Sequence, residues 1–277
     1  MASIADADIA SSVTRRPRRS PLKFFLLVYG LSLPIWVISA ITNLQLLPGV
    51  PLSGLIAVCP VLAAALLVYQ ENKAAGVIAL LKRAFDVRRV TAKIWYLPTL
   101  LLMPAVVTLS YAVQRLMGIS VPVPHITLLS VLTLSVAFFP FALCEELGWM
   151  GYSIDPLQQR WGALPASLIL GAVWALWHYP GLVQEHRSVD WIAWWSLGTL
   201  AERVIMVWLY NNTGHGVCML ALFHMTDNLT WQLYPIHGSF YDIRLVGVIL
   251  AVIAVIIIVV WRSATLTRPR HLSFNKG

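Results

Sequence analysis

Long apolar runs, broken by short polar segments, make up most of this chain. A membrane-spanning helix needs about 20 consecutive, mainly apolar residues. Eight runs meet that length, at residues 22–42, 50–69, 94–117, 126–150, 163–183, 191–211, 215–234 and 243–262. Between the second and third runs, residues 71–93 mix apolar and basic side chains, as in a short helix lying at the membrane surface. The pattern therefore predicts an all-α polytopic membrane protein with eight spans.

Composition supports a membrane protein over a soluble one. The chain is 58% hydrophobic and only 12% charged, whereas a soluble domain carries about 25% charged residues. The net charge of +8 could suggest a nucleic-acid partner, but the basic residues lie in short segments between the spans. We therefore expect no nucleic-acid partner. The three cysteines contain no CxxC pair, so neither a thiolate zinc cluster nor a disulfide framework is predicted.

The distribution of basic residues predicts the orientation of the chain. If the N-terminus is cytoplasmic, sixteen of the twenty lysines and arginines fall in cytoplasmic segments and three in the opposite ones, leaving Arg203 within a span. Cytoplasmic segments of membrane proteins carry such an excess. We therefore expect an even number of spans in a bacterial plasma membrane, with both termini cytoplasmic. A disordered basic tail, 1–20, would precede the membrane domain, 21–264, and a second cytoplasmic tail, 265–277, would follow it.

Polar side chains within the apolar runs are the candidates for chemistry. A charge at the bilayer centre costs roughly 2.5–3.5 kcal/mol, so such residues usually have a function. The candidates are Glu145 and Glu146 in the fourth run, His178 in the fifth, Glu202 and Arg203 in the sixth, and His224 and Asn228 in the seventh.

Helical spacing sorts these candidates by face. His224 and Asn228 are four residues apart, so they share one face of a helix. Glu145 and Glu146 are adjacent and diverge by about 100°, so one can face a reacting centre while a neighbour holds the other. A carboxylate and an imidazole can take a proton from water, and a second imidazole and an amide can donate to an oxyanion. These groups are the parts needed to hydrolyse an amide bond.

Three motifs together resemble a known family. They are Glu-Glu-Leu-Gly-Trp-Met-Gly at 145–151, Trp-Ala-Leu-Trp-His-Tyr-Pro at 174–180, and His-x-x-x-Asn at 224–228. Their order and their surrounding aromatic residues are similar to those of the CAAX protease and bacteriocin-processing (CPBP) family. The motifs cover residues 126–234, and the eight-span layout extends the resemblance over most of the chain.

The resemblance implies a glutamate-type intramembrane endopeptidase that uses no cofactor. Glu145 would activate the attacking water with His178, and His224 and Asn228 would stabilise the oxyanion; Glu146 would belong to the same catalytic set. The family has also been described as zinc-dependent, and Glu145, His178 and His224 would then be the ligands. The HExxH signature of other zinc proteases is absent. The implied partners are membrane lipid and a membrane-associated peptide or protein, either CAAX-type prenylated or bacteriocin-like.

One position departs from the family motif. The family has an arginine four residues after the second glutamate, where this chain has Met150. Without that arginine, Glu146 lacks a partner of opposite charge, and an unpaired buried carboxylate is costly. Arg203 could take the place of the missing arginine from another helix. The alternative is that Glu202 and Arg203 form a pair of their own.

Two other functions are compatible with the same residues. A catalytically silent scaffold or immunity protein of the family would tolerate loss of Glu145. A proton-coupled transporter would place the carboxylates and histidines along a water path that crosses both leaflets.

Overall fold

The structure, a computed structural model, describes residues 19–42, 44–47, 50–234 and 241–267. Nearly all of the two expected tails, at 1–18 and 268–277, lies outside this described part, so they remain predictions. The α-helices of the described part are α1 (Pro21–Ile41), α2 (Cys59–Lys82), α3 (Tyr96–Leu116), α4 (Leu128–Gly148), α5 (Ile154–Trp161), α6 (Ala163–Gln184), α7 (Val189–Asn212), α8 (Val217–Leu233) and α9 (Ile243–Trp261).

Short elements complete the described part of the chain. A small antiparallel hairpin, β1 (Gln45–Leu47) with β2 (Val50–Pro51), follows α1. A π-helical turn, Trp149–Ser153, joins α4 to α5. The 3₁₀ helices are Leu52–Val58, Arg83–Arg89 and Lys93–Trp95.

A long helix occupies each of the eight apolar runs, which confirms the predicted all-α polytopic architecture. Seven helical segments of the described chain are long and apolar enough to cross a membrane. The remaining helix, α8, has 17 residues and contains His224 and Asn228. Large apolar side chains cover the outside of the bundle; Leu26 is 67% exposed, Val136 75% and Val259 77%. Such a surface fits lipid rather than water.

The short helix predicted after the second span is separated from that span by a break within α2. The backbone leaves helical geometry at Asn72 and Lys73, and Lys73 adopts a φ of 52°. The helix then resumes and ends at Lys82, where the 3₁₀ helix Arg83–Arg89 follows. The expected helical character of this segment is thus present, with a break where the span leaves the apolar run.

Close packing fixes the end of α4, which carries the two glutamates. A Cβ atom on Gly148 would lie 2.5 Å from the backbone of Pro60, so only glycine permits this approach of α4 to α2. The next residue, Trp149, is fully buried and makes edge contacts with Phe24 and Trp177 at centroid distances of 5.3 and 5.4 Å. These contacts hold the end of α4 between α1, α2 and α6.

A carboxylate from a neighbouring segment caps the helix that carries His224 and Asn228. The N-cap residue of α8, Gly216, has no side chain to accept a hydrogen bond. The Asp86 carboxylate accepts instead from the backbone N–H of Val217 at 3.1 Å and of Cys218 at 3.0 Å. The negative charge also interacts favourably with the helix dipole. Asp86 therefore sets the start of α8.

Replacing Asp86 with alanine is expected to lower the free energy of unfolding by about 1–2 kcal/mol, the usual value for a lost N-cap. Thermal unfolding of the purified protein in detergent would measure the change. Arg89→Ala is the matched control, because Arg89 pairs with Asp86 at 3.6 Å from a half-exposed position. It should cost less than about 1 kcal/mol. Equal losses in the two variants would contradict the capping role.

Candidate active site

Four helices supply the candidate site residues. Glu145 and Glu146 lie in the last turn of α4, and His178 lies in the second half of α6. Arg203 lies within α7, and α8 carries His224 and Asn228. Hydrogen bonds and ring contacts connect most of these side chains.

Glu146 is bound on both of its oxygens. Arg203 Nη1 donates to Glu146 Oε2 at 2.9 Å, and His224 Nδ1 lies 3.0 Å from Oε1. The side chains of Glu146 and Arg203 are completely buried, and that of His224 is 3% exposed. The hypothesis that Arg203 replaces the arginine missing at position 150 is therefore confirmed in its geometry. Met150 itself is buried among apolar residues.

Two residues of α6, Gly171 and Trp174, pack against the buried side chain of Arg203. A Cβ atom on Gly171 would lie 3.2 Å from Arg203 Cβ, so a larger residue would press on the arginine side chain. Three residues later the Trp174 ring faces the guanidinium, with Arg203 Cζ 4.1 Å from the ring centroid. A cation over an indole face is attracted to it. Within the described residues, Arg203 Nε and Nη2 have no hydrogen bond, so Glu146 and Trp174 are its main partners.

Glu145 has a different environment from its neighbour. Trp174 Nε1 donates to Glu145 Oε2 at 2.8 Å. No described side chain donates to the second oxygen, Oε1, and Glu145 borders a cavity. Trp174 thus orients one carboxylate and stacks on the arginine that neutralises the other.

His178 is held in one tautomer by the backbone. Its Nδ1 lies 2.9 Å from the carbonyl oxygen of Trp174, which can only accept, so Nδ1 carries a proton. In the neutral ring the lone pair is then on Nε2. The rings of Trp174, Trp177 and Trp195 surround the imidazole at centroid distances of 4.7, 4.8 and 5.5 Å.

A cavity of about 200 Å³ connects three of the candidates. Glu145, His178 and Asn228 border it, and its remaining wall is mostly apolar. Glu146 and His224 do not border this cavity; they lie behind its wall, bound to each other. The predicted site residues thus form two groups. Glu145, His178 and Asn228 border the cavity, and Glu146 and His224 form a buried contact behind its wall.

The structure also decides whether Glu202 pairs with Arg203, and it locates Asp227 relative to the cavity. Glu202 is buried and forms no salt bridge with Arg203 among the described residues, so the alternative of a separate pair is wrong. Asp227 does not border the cavity.

Two parts of the candidate site, Trp174 and the 3₁₀ helix Leu52–Val58, had only weak signals in the sequence. Trp174 belongs to the motif that contains His178, but nothing in that motif indicates its hydrogen bond to Glu145 or its contact with Arg203. The 3₁₀ helix Leu52–Val58 forms part of the cavity wall through Ser53 and Ile56. Nothing in its apolar sequence distinguishes it from an ordinary stretch of span.

Glu145, His178 and His224 are the side chains that would have to bind a zinc ion at this site. Among the described residues, no three His, Cys, Asp or Glu side chains are arranged to hold one metal ion. Glu145 and His178 border the cavity, whereas His224 does not. A zinc site needs its ligand atoms to converge at about 2.0–2.3 Å from one point. Glu145, His178 and His224 do not fit zinc as they are arranged.

Comparison with known proteins extends over this same region. Residues 127–230 match the family model described as "Type II CAAX prenyl endopeptidase Rce1-like". A protein of Methanococcus maripaludis named CAAX prenyl protease 2 is 29% identical over 201 residues, which are 64% of this chain and 72% of that protein.

The fold defines a polytopic α-helical membrane protein, and the region of the candidate site is similar to a family of endopeptidases. Over this region the chain is similar to CAAX prenyl endopeptidases, in agreement with the resemblance that the three motifs carry. The matched residues begin just before α4 and end within α8, so they include the glutamates, both histidines and Asn228.

Replacing Arg203 with methionine is expected to destabilise the protein by about 3–5 kcal/mol, because it leaves the buried Glu146 charge unpaired. Adding Met150→Arg in the same chain should recover part of that loss, since position 150 is where the family carries its arginine. Thermal unfolding in detergent would measure both variants. Arg203→Lys is the control that keeps the charge but loses the planar group over Trp174. If the double variant is no more stable than Arg203→Met, the two positions are not interchangeable.

Proposed function

We propose that this protein is a membrane endopeptidase in which Glu145 activates the attacking water. The proposal rests on the different environments of the two adjacent glutamates. Glu145 borders the cavity beside His178 and Asn228, while Arg203 neutralises Glu146 behind it. A carboxylate that keeps one oxygen without a described donor, and that borders the same mostly apolar cavity as an imidazole, is suited to general-base catalysis.

In the proposed first step, a water molecule in the cavity attacks the carbonyl carbon of the scissile amide. Glu145 accepts the water proton through Oε1, the oxygen that Trp174 leaves free. His178, with its lone pair on Nε2, supports the same proton transfer. The proton then passes to the amide nitrogen as the carbon–nitrogen bond breaks, which completes the hydrolysis.

The negative charge that develops on the carbonyl oxygen needs donors. The Asn228 side-chain amide borders the cavity and is the direct candidate. His224 lies one turn earlier on the same face of α8 and is assigned the same role through its second nitrogen, Nε2. Its access is less direct because the side chain is 3% exposed and lies behind the wall. Fixed donors of this kind stabilise a transition state without reorganisation.

Glu146 and Arg203 act as positioning residues in this proposal. Their ion pair fixes His224 through its Nδ1 and Trp174 through its ring face. Trp174 in turn orients Glu145. The charge of Glu146 therefore supports the site without contacting the reacting atoms.

The substrate class follows from the family and from the cavity wall. The name of the Methanococcus relative, CAAX prenyl protease 2, and the description of the matching family suggest CAAX-type prenylated proteins. Apolar residues of the wall, including Ile56, Leu182 and Trp231, suit a lipid-modified or otherwise apolar segment. Bacteriocin-like peptides are a second class with the same character. Membrane lipid is the surrounding partner in both cases.

The cavity supports a protease over a transporter. A proton-coupled transporter needs polar groups along a path through both leaflets. A second cavity, of about 550 Å³, is bordered by Asp155, Asn211 and His215, and shares no lining residue with the first. The buried pair of Glu146 and Arg203 is a neutral, closed contact rather than a water path. The silent-scaffold alternative loses its main support because Arg203 compensates for Met150.

Glu145→Gln is expected to reduce cleavage of a quenched membrane peptide by about 10²–10⁴-fold, the usual contribution of a general base. The amide keeps the shape of the side chain and can still accept from Trp174, so the fold should be unchanged. Cleavage by the purified protein in detergent measures the effect, and it should persist in the presence of a metal chelator. Asp190→Asn is the matched control, because Asp190 forms an exposed pair with Arg244.

Two results would overturn this mechanism. Full activity in Glu145→Gln would show that another group activates the water. Loss of activity with the chelator, restored by adding zinc, would show that a metal ion does so.

Asn228→Ala is expected to lower kcat by about 10²–10³-fold with little change in KM, as for other oxyanion donors. Steady-state kinetics on the same peptide separate the two constants. Thr226→Ala is the control, because Thr226 lies two residues away on α8 and its hydroxyl donates only to the backbone of Phe223. A rise in KM with kcat unchanged would assign Asn228 to substrate binding instead.

A further inference from the structure

The cavity of the candidate site extends towards one end of the helix bundle. Besides the site residues, its wall includes Ser53 in the 3₁₀ helix after the hairpin, Leu182 in the last turn of α6, Glu185 just beyond it, and Trp231 near the end of α8. These positions share the end at which α1, α6 and α8 finish and α2 and α4 begin. We refer to it as the mouth end.

Partly buried and exposed hydrogen bonds lie between the site and the other end of the bundle. The guanidinium of Arg83 donates to the carbonyl oxygen of Gly151 at 2.6 Å, to that of His215 at 2.9 Å, and to the Tyr210 hydroxyl at 2.9 Å. These bonds join the π-helical turn below Glu145 to the junction between α7 and α8. The site is therefore reached from the mouth end and closed by packed side chains on the other side.

The two ends differ strongly in charge. The far end, at which α2, α5, α7 and α9 finish, contains most of the basic residues of the described chain: Arg19, Lys23, those within 73–93, Arg160 and Arg262. The mouth end has three arginines. Arg187 pairs with Glu185 at 3.3 Å and Arg244 with Asp190 at 2.6 Å, so only Arg115 lacks an acidic partner among the described residues. In membrane proteins, the end richer in lysine and arginine faces the cytoplasm, whether or not those residues are paired.

These observations have one consequence for the substrate. We propose that the site takes its substrate from the extracytoplasmic side of the membrane. The substrate would be a peptide segment at the outer leaflet with uncharged residues around the scissile bond. The cavity wall between Ser53 and Trp231 is mostly apolar, and Glu185, its charged residue at the mouth, is paired with Arg187. The cleavage step rests on the function proposed above, whereas the direction of access does not.

Cysteine labelling in spheroplasts tests the direction of access. Val189→Cys marks the mouth end, where Val189 is 85% exposed, and Phe85→Cys marks the far end, where Phe85 is 81% exposed. Leu182→Cys reports on the cavity, and Ser53→Cys replaces it if that variant does not fold. The parent chain gives the background, since Cys59 and Cys218 are buried and Cys144 is half-buried.

A small membrane-impermeant thiol reagent should label Val189→Cys and the cavity variant in intact spheroplasts. Phe85→Cys should be labelled only after lysis. The opposite pattern, with Phe85→Cys labelled in intact spheroplasts and the other two protected, would overturn the proposal.

A second experiment tests cleavage from each side. A quenched fluorescent peptide of uncharged residues, with a fixed-charge tag that prevents it from crossing the bilayer, is added to right-side-out or inverted vesicles. Cleavage by right-side-out vesicles, and by inverted ones only after detergent, is the expected result. Cleavage by intact inverted vesicles alone would overturn extracytoplasmic access. Absence of cleavage even in detergent would count against the proposed function, and the labelling pattern would still decide the direction.

Discussion

The buried ion pair between Glu146 and Arg203 is the interaction on which the rest of this structure depends. Two charges completely removed from water are costly, and they persist only if they neutralise each other and find further partners. Glu146 is hydrogen-bonded to His224 through its second oxygen, and the Arg203 guanidinium lies over the face of Trp174. Four helices, α4, α6, α7 and α8, therefore meet at one buried cluster. Losing either charge would leave the other unpaired where water cannot reach it.

This arrangement separates two adjacent glutamates that would otherwise compete for the same environment. Neighbouring residues of a helix point about 100° apart, so one side chain can face inwards while the next faces the cavity. The arginine on α7 pairs with the inward-facing Glu146, and Trp174 is the hydrogen-bond donor to Glu145 among the described residues. Position 150 is Met in this chain, and the positive charge that pairs with Glu146 therefore comes from Arg203 on α7. A cross-helix pair also has a structural advantage, since it ties α7 to the site, which a pair within α4 would not do.

The one-sided cavity links the site to the membrane around it. Its floor is the packed end of α4, where Gly148 lies against Pro60 and Arg83 joins the π-helical turn to α7 and α8. Its wall is apolar and its mouth lies at the end of the bundle that is poor in unpaired basic residues. An active site with this shape excludes bulk water from the reacting bond yet admits a segment of an extended peptide. Those are the conditions under which fixed donors and a single carboxylate are most effective.

The sequence by itself determined the parts of this protein that depend on local pattern. Apolar runs of fixed length specify the spans, and the residue types and spacings of the three motifs indicate Glu145, His178, His224 and Asn228, because both signals are carried by neighbours along the chain. Only the tertiary structure decided which partner Arg203 takes, which glutamate reaches the cavity, and that residues 52–58 form its wall. These depend on contacts between residues far apart in sequence, such as Arg203 with Glu146. Apolar residues facing lipid and those facing a neighbouring helix have the same composition, so hydropathy cannot distinguish them.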